Sequence, residues 1–416
     1  MRELLNCAMD IGEQMLISGA EVHRVEDSMN RICASLGATR VDCFIITSSM
    51  VITVRTPEDK VYTETRRIKS VGTDFNKLDK LNGLSRRICT SNMTACEIRG
   101  ELSRIKSESG YPFWLTCIAY AAIAAAFSSF FGGVIEQVIA AFFIGALIRL
   151  VVEFAERTIG NLVFSKFLSA LAVTALAYLF LWIGLISRVD EVIIGNIMLI
   201  IPGLGFTNAL RDLFTGDSIA GALRSLEAAL SAVSIAAGYV IFVLAIGGTS
   251  TTEYIQQTDV IIQIIAATFG SLGFAVLFNI KGIKLIATAV GGGLGWALFS
   301  LLNLVLENEP VRYFLVAVSI SLYAEIMARA LKAPATIFIA PSLIPLVPGA
   351  SLYYTMAYAL GDNSEFFTEK ALSTVSCAAA LAVGVIVSAV VMQLFTKAMQ
   401  YYLAKRKLKD TYGKRS

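Results

Sequence analysis

The sequence predicts an all-α polytopic membrane protein of about ten transmembrane helices, a 5+5 inverted repeat behind an N-terminal cytosolic α+β domain. Three observations carry that prediction. The 416 residues are 56% hydrophobic and only 16% charged, with mean hydropathy +0.68, well outside the balance of a soluble domain. The charge is uneven: residues 1–110 hold 16 Lys/Arg and 15 Asp/Glu, whereas from Tyr111 onward the chain is apolar runs near the bilayer-spanning length, separated by short polar breaks. The chain also resembles itself after a shift of 146 positions.

In order along the chain, four regions follow: a cytosolic α+β domain (1–110), two five-helix membrane repeats (111–250 and 251–396) and a basic cytosolic tail (397–416). The first twenty residues carry Glu3, Asp10 and Glu13 where a secretory signal needs an apolar core. Ser18-Gly19-Ala20-Glu21 has the spacing of a capping box, and Val22, Val25, Met29, Ile32 and Cys33 recur at helical spacing before Gly37. Strands are predicted at Val41–Thr47, Met50–Thr56 and Val61–Ile68, then a long polar helix from Asp74 to Ser107. Glu21, His23, Arg24, Glu26 and Asp27 form a polar helix face, either a binding or regulatory site or a solvated surface. No nucleophile–base pair, phosphate loop or metal spacing is visible, so neither enzyme activity nor a cofactor or metal is expected. The seven cysteines form no CxxC pair. The formal charge of +3 includes no basic patch with interleaved aromatics, which argues against nucleic acid.

Predicted spans are Phe113–Phe131, Val134–Val152, Phe167–Ile186, Val192–Leu210, Leu226–Ile246, Val260–Phe278, Leu285–Leu306, Val311–Leu331, Phe338–Tyr358 and Leu372–Phe395. With a cytosolic N-terminus, nine basic residues fall in inner connections (Lys166 among them) and three in outer ones, and the tail adds seven. That bias places both termini inside. The 146-position shift lays the first five spans on the last five without a gap, putting Pro202-Gly203 on Pro348-Gly349 and Gly238 on Gly384. A repeat with an odd number of spans re-enters the membrane inverted, as in many secondary transporters.

Helix breakers mark the candidate transport site. Pro202-Gly203 lies mid-span in the fourth segment and Pro345 to Pro348-Gly349 mid-span in the ninth. Proline removes an amide, and the freed backbone groups need protein, water or substrate as partners; the alternative is a packed proline kink. Glu325, in the eighth span, is the proton-coupling candidate, with Arg329 one turn away as its partner; the alternative is a structural ion pair. Asn208, Arg211 and Asp212 follow Pro202 by roughly 9–15 Å of helix, at a cytosolic mouth where they act as a gate or a solvated cluster. The glycine run Gly291-Gly292-Gly293-Leu294-Gly295 reads as close helix packing rather than a ligand cradle. A channel would need a continuous polar stripe. A membrane-embedded enzyme would need paired groups at one depth; Glu325 has no acid or His near its depth, and the one His, His23, is expected on the cytosolic side.

Ser18-Gly19-Ala20-Glu21-Val22-His23-Arg24-Val25-Glu26-Asp27, then Ile200-Ile201-Pro202-Gly203 with Asn208, Arg211-Asp212 and Gly216-Asp217, and Ile344-Pro345-Leu346-Val347-Pro348-Gly349, resemble the threonine/serine exporter family. The resemblance covers nearly the whole chain. It implies ten spans, a cytosolic N-terminal domain and export of small amino acids coupled to protons. His23 departs from the pattern, where Tyr or another residue is expected. A two-protein relative split between the halves is associated with export of C4-dicarboxylates such as succinate, the alternative substrate class. The expected partners are therefore an amino acid or small carboxylate, protons and the lipid bilayer, with homo-oligomerisation left open.

Overall fold

The computed structural model describes residues 2–69, 71–91, 93–158, 160–202, 205, 208–209, 212–213, 216–247, 258–358 and 364–412. The N-terminal domain is built from α1 (Arg2–Ile17), α2 (Val22–Ser35), strands β1 (Arg40–Ile46), β2 (Ser49–Arg55) and β3 (Val61–Arg67), then α3 (Phe75–Thr90) and α4 (Ala95–Lys106). The strands form an antiparallel sheet in the order β1-β2-β3, with Ile52 of the central strand opposite Cys43 and Glu64. Alternation puts Met50, Ile52 and Val54 on one face. That face is buried against α1 and α2, whose Leu5, Met9, Ile11, Val25, Met29 and Ile32 complete the core.

Two local expectations are corrected. Ser18 caps nothing: α1 occupies the chain up to Ile17, the Ser18 amide donates to Gln14 O at 3.0 Å, and Gly19 turns the backbone at φ +91°. Glu21 is the N-cap residue of α2 by backbone, with no side-chain cap bond. The domain's capping box is Thr94–Glu97 instead. It divides the predicted Asp74–Ser107 helix into α3 and α4, because a Thr hydroxyl facing the Glu97 amide starts a new helix rather than continuing the old one.

The membrane part follows with α5 (Phe113–Phe130), α6 (Ile135–Thr158), α7 (Leu162–Trp182), α8 (Asp190–Ile197), α9 (Ser218–Ala245), α10 (Val260–Leu277), α11 (Ile283–Asn303), α12 (Glu309–Ala330), α13 (Thr336–Leu343), α14 (Gly349–Tyr358) and α15 (Ser364–Tyr412). Among the described residues eight helices are long and apolar enough to cross a membrane, or nine if Thr336–Leu346 and Gly349–Thr355, bent by 47°, make one span. The fourth predicted span starts as α8 and leaves the helix before Pro202; part of it lies outside the described residues. The third begins earlier than expected, since the Asn161 carboxamide accepts the Val163 and Phe164 amides and starts α7 at Leu162. Lys166, assigned above to a connection, is thereby inside a helix.

Helix starts keep the 146-position offset of the sequence: Asp190 and Thr336 open α8 and α13, Ser218 and Ser364 open α9 and α15. Pairings correspond too, with α5 on α6 as α10 on α11, and α7 on α9 as α12 on α15. The two glycines aligned by that offset serve the same contact. A Cβ on Gly238 would sit 2.5 Å from Phe167 O, and one on Gly384 2.7 Å from Phe314 O. The Gly291–Gly293 run is close packing as well, Gly292 facing Ser271 and Ala267.

The N-terminal domain packs onto one end of the membrane helices. One apolar cluster runs from Leu16 and Val25 into Ala275, Ala328, Ile337 and Phe338. The Phe75 amide donates to Phe278 O (2.9 Å), the Asn279 carboxamide to Asp74 Oδ1 (2.9 Å), and Lys284 pairs with Asp79.

Candidate functional site

At the second break, Pro341 lies inside α13, Ile344–Leu346 tighten into a 3₁₀ turn, and Val347 is extended at φ −63°, ψ 130° before α14 begins. At the first, α8 ends at Ile197, whose carbonyl accepts from both Ile200 and Ile201 just ahead of Pro202. The two breaks meet. A Cβ on Gly349 would lie 2.3 Å from Met198 Sδ and 3.3 Å from Ile201 Cδ1. Pro202 and Pro348 line one apolar cavity of about 160 Å³, together with Ile201, Val347 and Leu352. A larger cavity of about 330 Å³ opens beside it. Its walls include Pro202 and Ile201 from the first break, Ile344 and Val347 from the second, and the polar side chains of Ser165, Ser169, Lys166, Glu156 and Thr73.

Lys166 and Glu156 form no ion pair among the described residues, so the cavity offers a cation and a carboxylate on mostly apolar walls. That is the lining that orients a small molecule of both charges. Freed ends add to it, since the first-turn amides of a helix favour an anion and last-turn carbonyls a cation. The helices at the breaks are also tied directly: the Tyr353 hydroxyl of α14 donates to Asp190 Oδ1 of α8 at 2.6 Å, with the Tyr239 ring 5.6 Å from that of Tyr353. Sequence reasoning missed Lys166, Glu156, Asp190 and Tyr353. The first three carried a signal, an ionisable residue at the edge of an apolar run. Tyr353 carried none.

Of the predicted site residues, Pro202, Pro348 and Gly349 come together as described. Pro345 is buried in the 3₁₀ turn and Asn208 is half-buried on helical backbone. Gly203 and Arg211 lie outside the described residues. Glu325 pairs with Arg329 at 3.0 Å, as the i, i+4 spacing requires, and Asp212 is buried against Arg224 at 2.6 Å. These two acids border another cavity, of about 600 Å³, between the N-terminal domain and the membrane helices. Its walls include Glu21, His23 and Arg24 of α2, Ser321 of α12, and Ser388 and Lys397 of α15. Glu325 thus shares a cavity lining with His23 and Asp212, residues that lie far from it in the sequence. Docking of α2 brings His23 to its cavity, a proximity between positions some three hundred residues apart that no sequence window contains.

Glu21 makes the docking specific: its Oε1 accepts the Thr336 hydroxyl at 2.6 Å at the start of α13, and Arg24 lies 3.6 Å away. One turn on, Glu26 accepts the Ile45 amide at 3.2 Å. Its carboxyl is held above the ordinary carboxylate range by burial first and the nearby Asp217 carboxylate second, against the Ile45 bond and His23.

A family model described as "Putative threonine/serine exporter" matches residues 6–247, and a second, "Threonine/Serine exporter, ThrE", matches residues 263–391. Among curated proteins, the chain is 23% identical over 406 residues to the threonine/serine exporter of Corynebacterium glutamicum, covering 92% of this chain and 81% of that protein. It is 20% identical over 403 residues to the probable threonine/serine exporter of Mycobacterium tuberculosis, covering 92% and 75%. No solved structure matches the chain. With apolar helices of spanning length on one side and two family models spread across most of its residues on the other, the chain belongs to the threonine/serine exporter family.

Proposed function

We propose that this multi-pass membrane protein exports threonine and serine from the cytosol by secondary transport, energised by the proton gradient. The observation that carries the reading is the meeting of two broken helices, at positions 146 apart, over cavities that both of them line. Substrate binds in the 330 Å³ cavity. Its carboxylate meets Lys166 and helix-start amides, and its ammonium meets Glu156 and freed carbonyls. A dianion such as succinate suits this lining less well, because Glu156 would repel its second carboxylate.

In this reading ten spans form two inverted halves, the N-terminal domain and the tail are cytosolic, and alternating access rocks one half against the other. Glu325 takes up and releases the coupling proton, and Arg329 leaves it when it does so. Asp212, Asn208 and Arg211 act at the cytosolic mouth. The test is counterflow and net export in proteoliposomes with labelled threonine, serine and succinate. Glu325→Gln, which mimics the protonated acid, is expected to abolish proton-driven net export of threonine and to spare exchange. Normal pH-driven export by that variant would remove Glu325 from the mechanism, and transport of succinate alone would replace the substrate.

A further inference from the structure

The geometry points to a second binding site, outside the membrane region, for a small organic carboxylate in the cleft between α2, α3 and the start of α13. The cleft measures about 520 Å³ and is closed on its third side by Pro334 and Thr336. Its two long walls differ. On α2 the charges are satisfied among themselves: Arg31 pairs with Asp27 at 2.7 Å, and Arg24 lies 3.6 Å from Glu21, which also holds Thr336. On α3, Asn82, Ser85, Arg86 and Cys89 stand at i, i+3, i+4 and i+7, one face of a helix, and all four line the cleft.

Among the described residues no side-chain hydrogen bond or ion pair engages Asn82, Ser85 or Arg86, although Ser85 is buried and Asn82 half-buried. Arg86 is exposed and the Asn82 and Ser85 polar atoms reach the solvent of the cleft, so all three are open to a ligand. Here an amide, a hydroxyl and a guanidinium are set side by side as donors, and a guanidinium fork fits a carboxylate with two parallel bonds. The opposite wall presents Glu21 and Asp27. Paired with Arg24 and Arg31, these acids give the wall both charges, so an ammonium can meet a carboxylate there while the ligand's own carboxylate meets α3, and a zwitterionic α-amino acid fits better than a dicarboxylate or phosphate.

Occupancy has a mechanical consequence, and that part rests on the transport reading above. An ammonium at Glu21 competes with the Thr336 hydroxyl for the same carboxylate. Thr336 opens α13, and the far end of α13 is the break at Ile344–Leu346. A ligand in the cleft would thus loosen the hold of the N-terminal domain on the ninth span.

Cys89 provides a local reporter, since its exposed thiol lines the cleft while the exposed Cys96 thiol on α4 does not. The experiment measures alkylation of both cysteines by N-ethylmaleimide in the purified full-length protein, resolved by peptide mass spectrometry, in the presence of threonine, serine, succinate or inorganic phosphate. Threonine and serine are expected to slow Cys89 and leave Cys96 unchanged. Arg86→Ala is expected to raise the half-protecting concentration by about tenfold, the loss of one charge-assisted contact. Lys166→Ala, at a residue that lines the proposed transport cavity and not the cleft, is expected to keep the protection, so failure of the cleft and failure of the transport reading are separable. Protection by succinate alone would retain a carboxylate site and overturn the pairing of an ammonium with the α2 carboxylates. No protection of Cys89 by any of the four, equal slowing of both cysteines, or undiminished protection in Arg86→Ala would overturn the site.

Discussion

Asp74 shows how a single carboxylate serves two parts of the chain. It caps α3 by accepting the Lys77 amide at 3.0 Å, and it accepts the Asn279 carboxamide at 2.9 Å from the far side of the domain interface. Asp74→Ala should cost about 1 kcal/mol for the cap and about 1–3 kcal/mol more for the buried Asn279 donor left unpaired. Asp74→Asn, which keeps an oxygen acceptor, should recover most of the loss in thermal unfolding. Glu26 gives the pH dependence at the same interface. Its folded carboxyl binds a proton more tightly than the ordinary value of 4.5, so its contribution to stability is fully present below that pH and is lost as pH rises through the raised value. Glu26→Gln keeps the acceptor for the Ile45 amide and removes the charge facing Asp217. It should therefore raise the melting temperature at pH 7, with the gain vanishing as the pH is lowered toward 4.5; an equal gain at both values would sink the assignment. Single residues were also where sequence reasoning failed. The Ser18–Glu21 spacing looked like a cap only because α1 had not been recognised, although Leu5, Ala8, Met9, Gly12 and Met15 already recur at its helical spacing.

At the scale of elements the sequence was most readable. Strand alternation placed all three strands within a residue or two, because period-two burial leaves little freedom. The 146-position offset anticipated which helices open together and where both breaks fall. What it could not supply was contact. Gly238 and Gly384 were visible only as aligned glycines, yet each lets a backbone approach that a methyl would block. Gly384→Ala should lower stability by about 1–3 kcal/mol through overpacking against Phe314 O and Ala317, and Gly238→Ala should do the same against Phe167. Gly83, with nothing near its would-be Cβ, should tolerate alanine and gain a few tenths of a kcal/mol of helix propensity. Unfolding midpoints for the three variants test the set, and equal effects would show that the aligned glycines are not contact sites.

For the whole molecule, the main thing hidden in the sequence is how closely the N-terminal domain joins the membrane helices. Asp74–Asn279 and Glu21–Thr336 link positions separated by 205 and 315 residues, and neither side chain differs in type from a solvated surface residue. Orientation, by contrast, was argued only from basic residues, and it fixes the compartment of everything described above. The contacts around Lys281 make it testable. Its ammonium donates to Ser109 O at 3.3 Å and lies 5.7 Å from the Tyr111 ring centre, so this connection sits on the same face as the N-terminal domain. The connection 248–257, which lies outside the described residues, precedes α10, and Lys281 follows it; one crossing by α10 puts the two on opposite sides. In cells carrying a variant whose native cysteines are replaced by serine, a cysteine placed in 248–257 should react with an impermeant maleimide added outside. Lys281→Cys should react only after the membrane is permeabilised. Labelling in the reverse pattern would put the N-terminal domain outside and overturn the export direction. Labelling of both positions from outside would break the single crossing by α10 on which the proposed inverted halves depend.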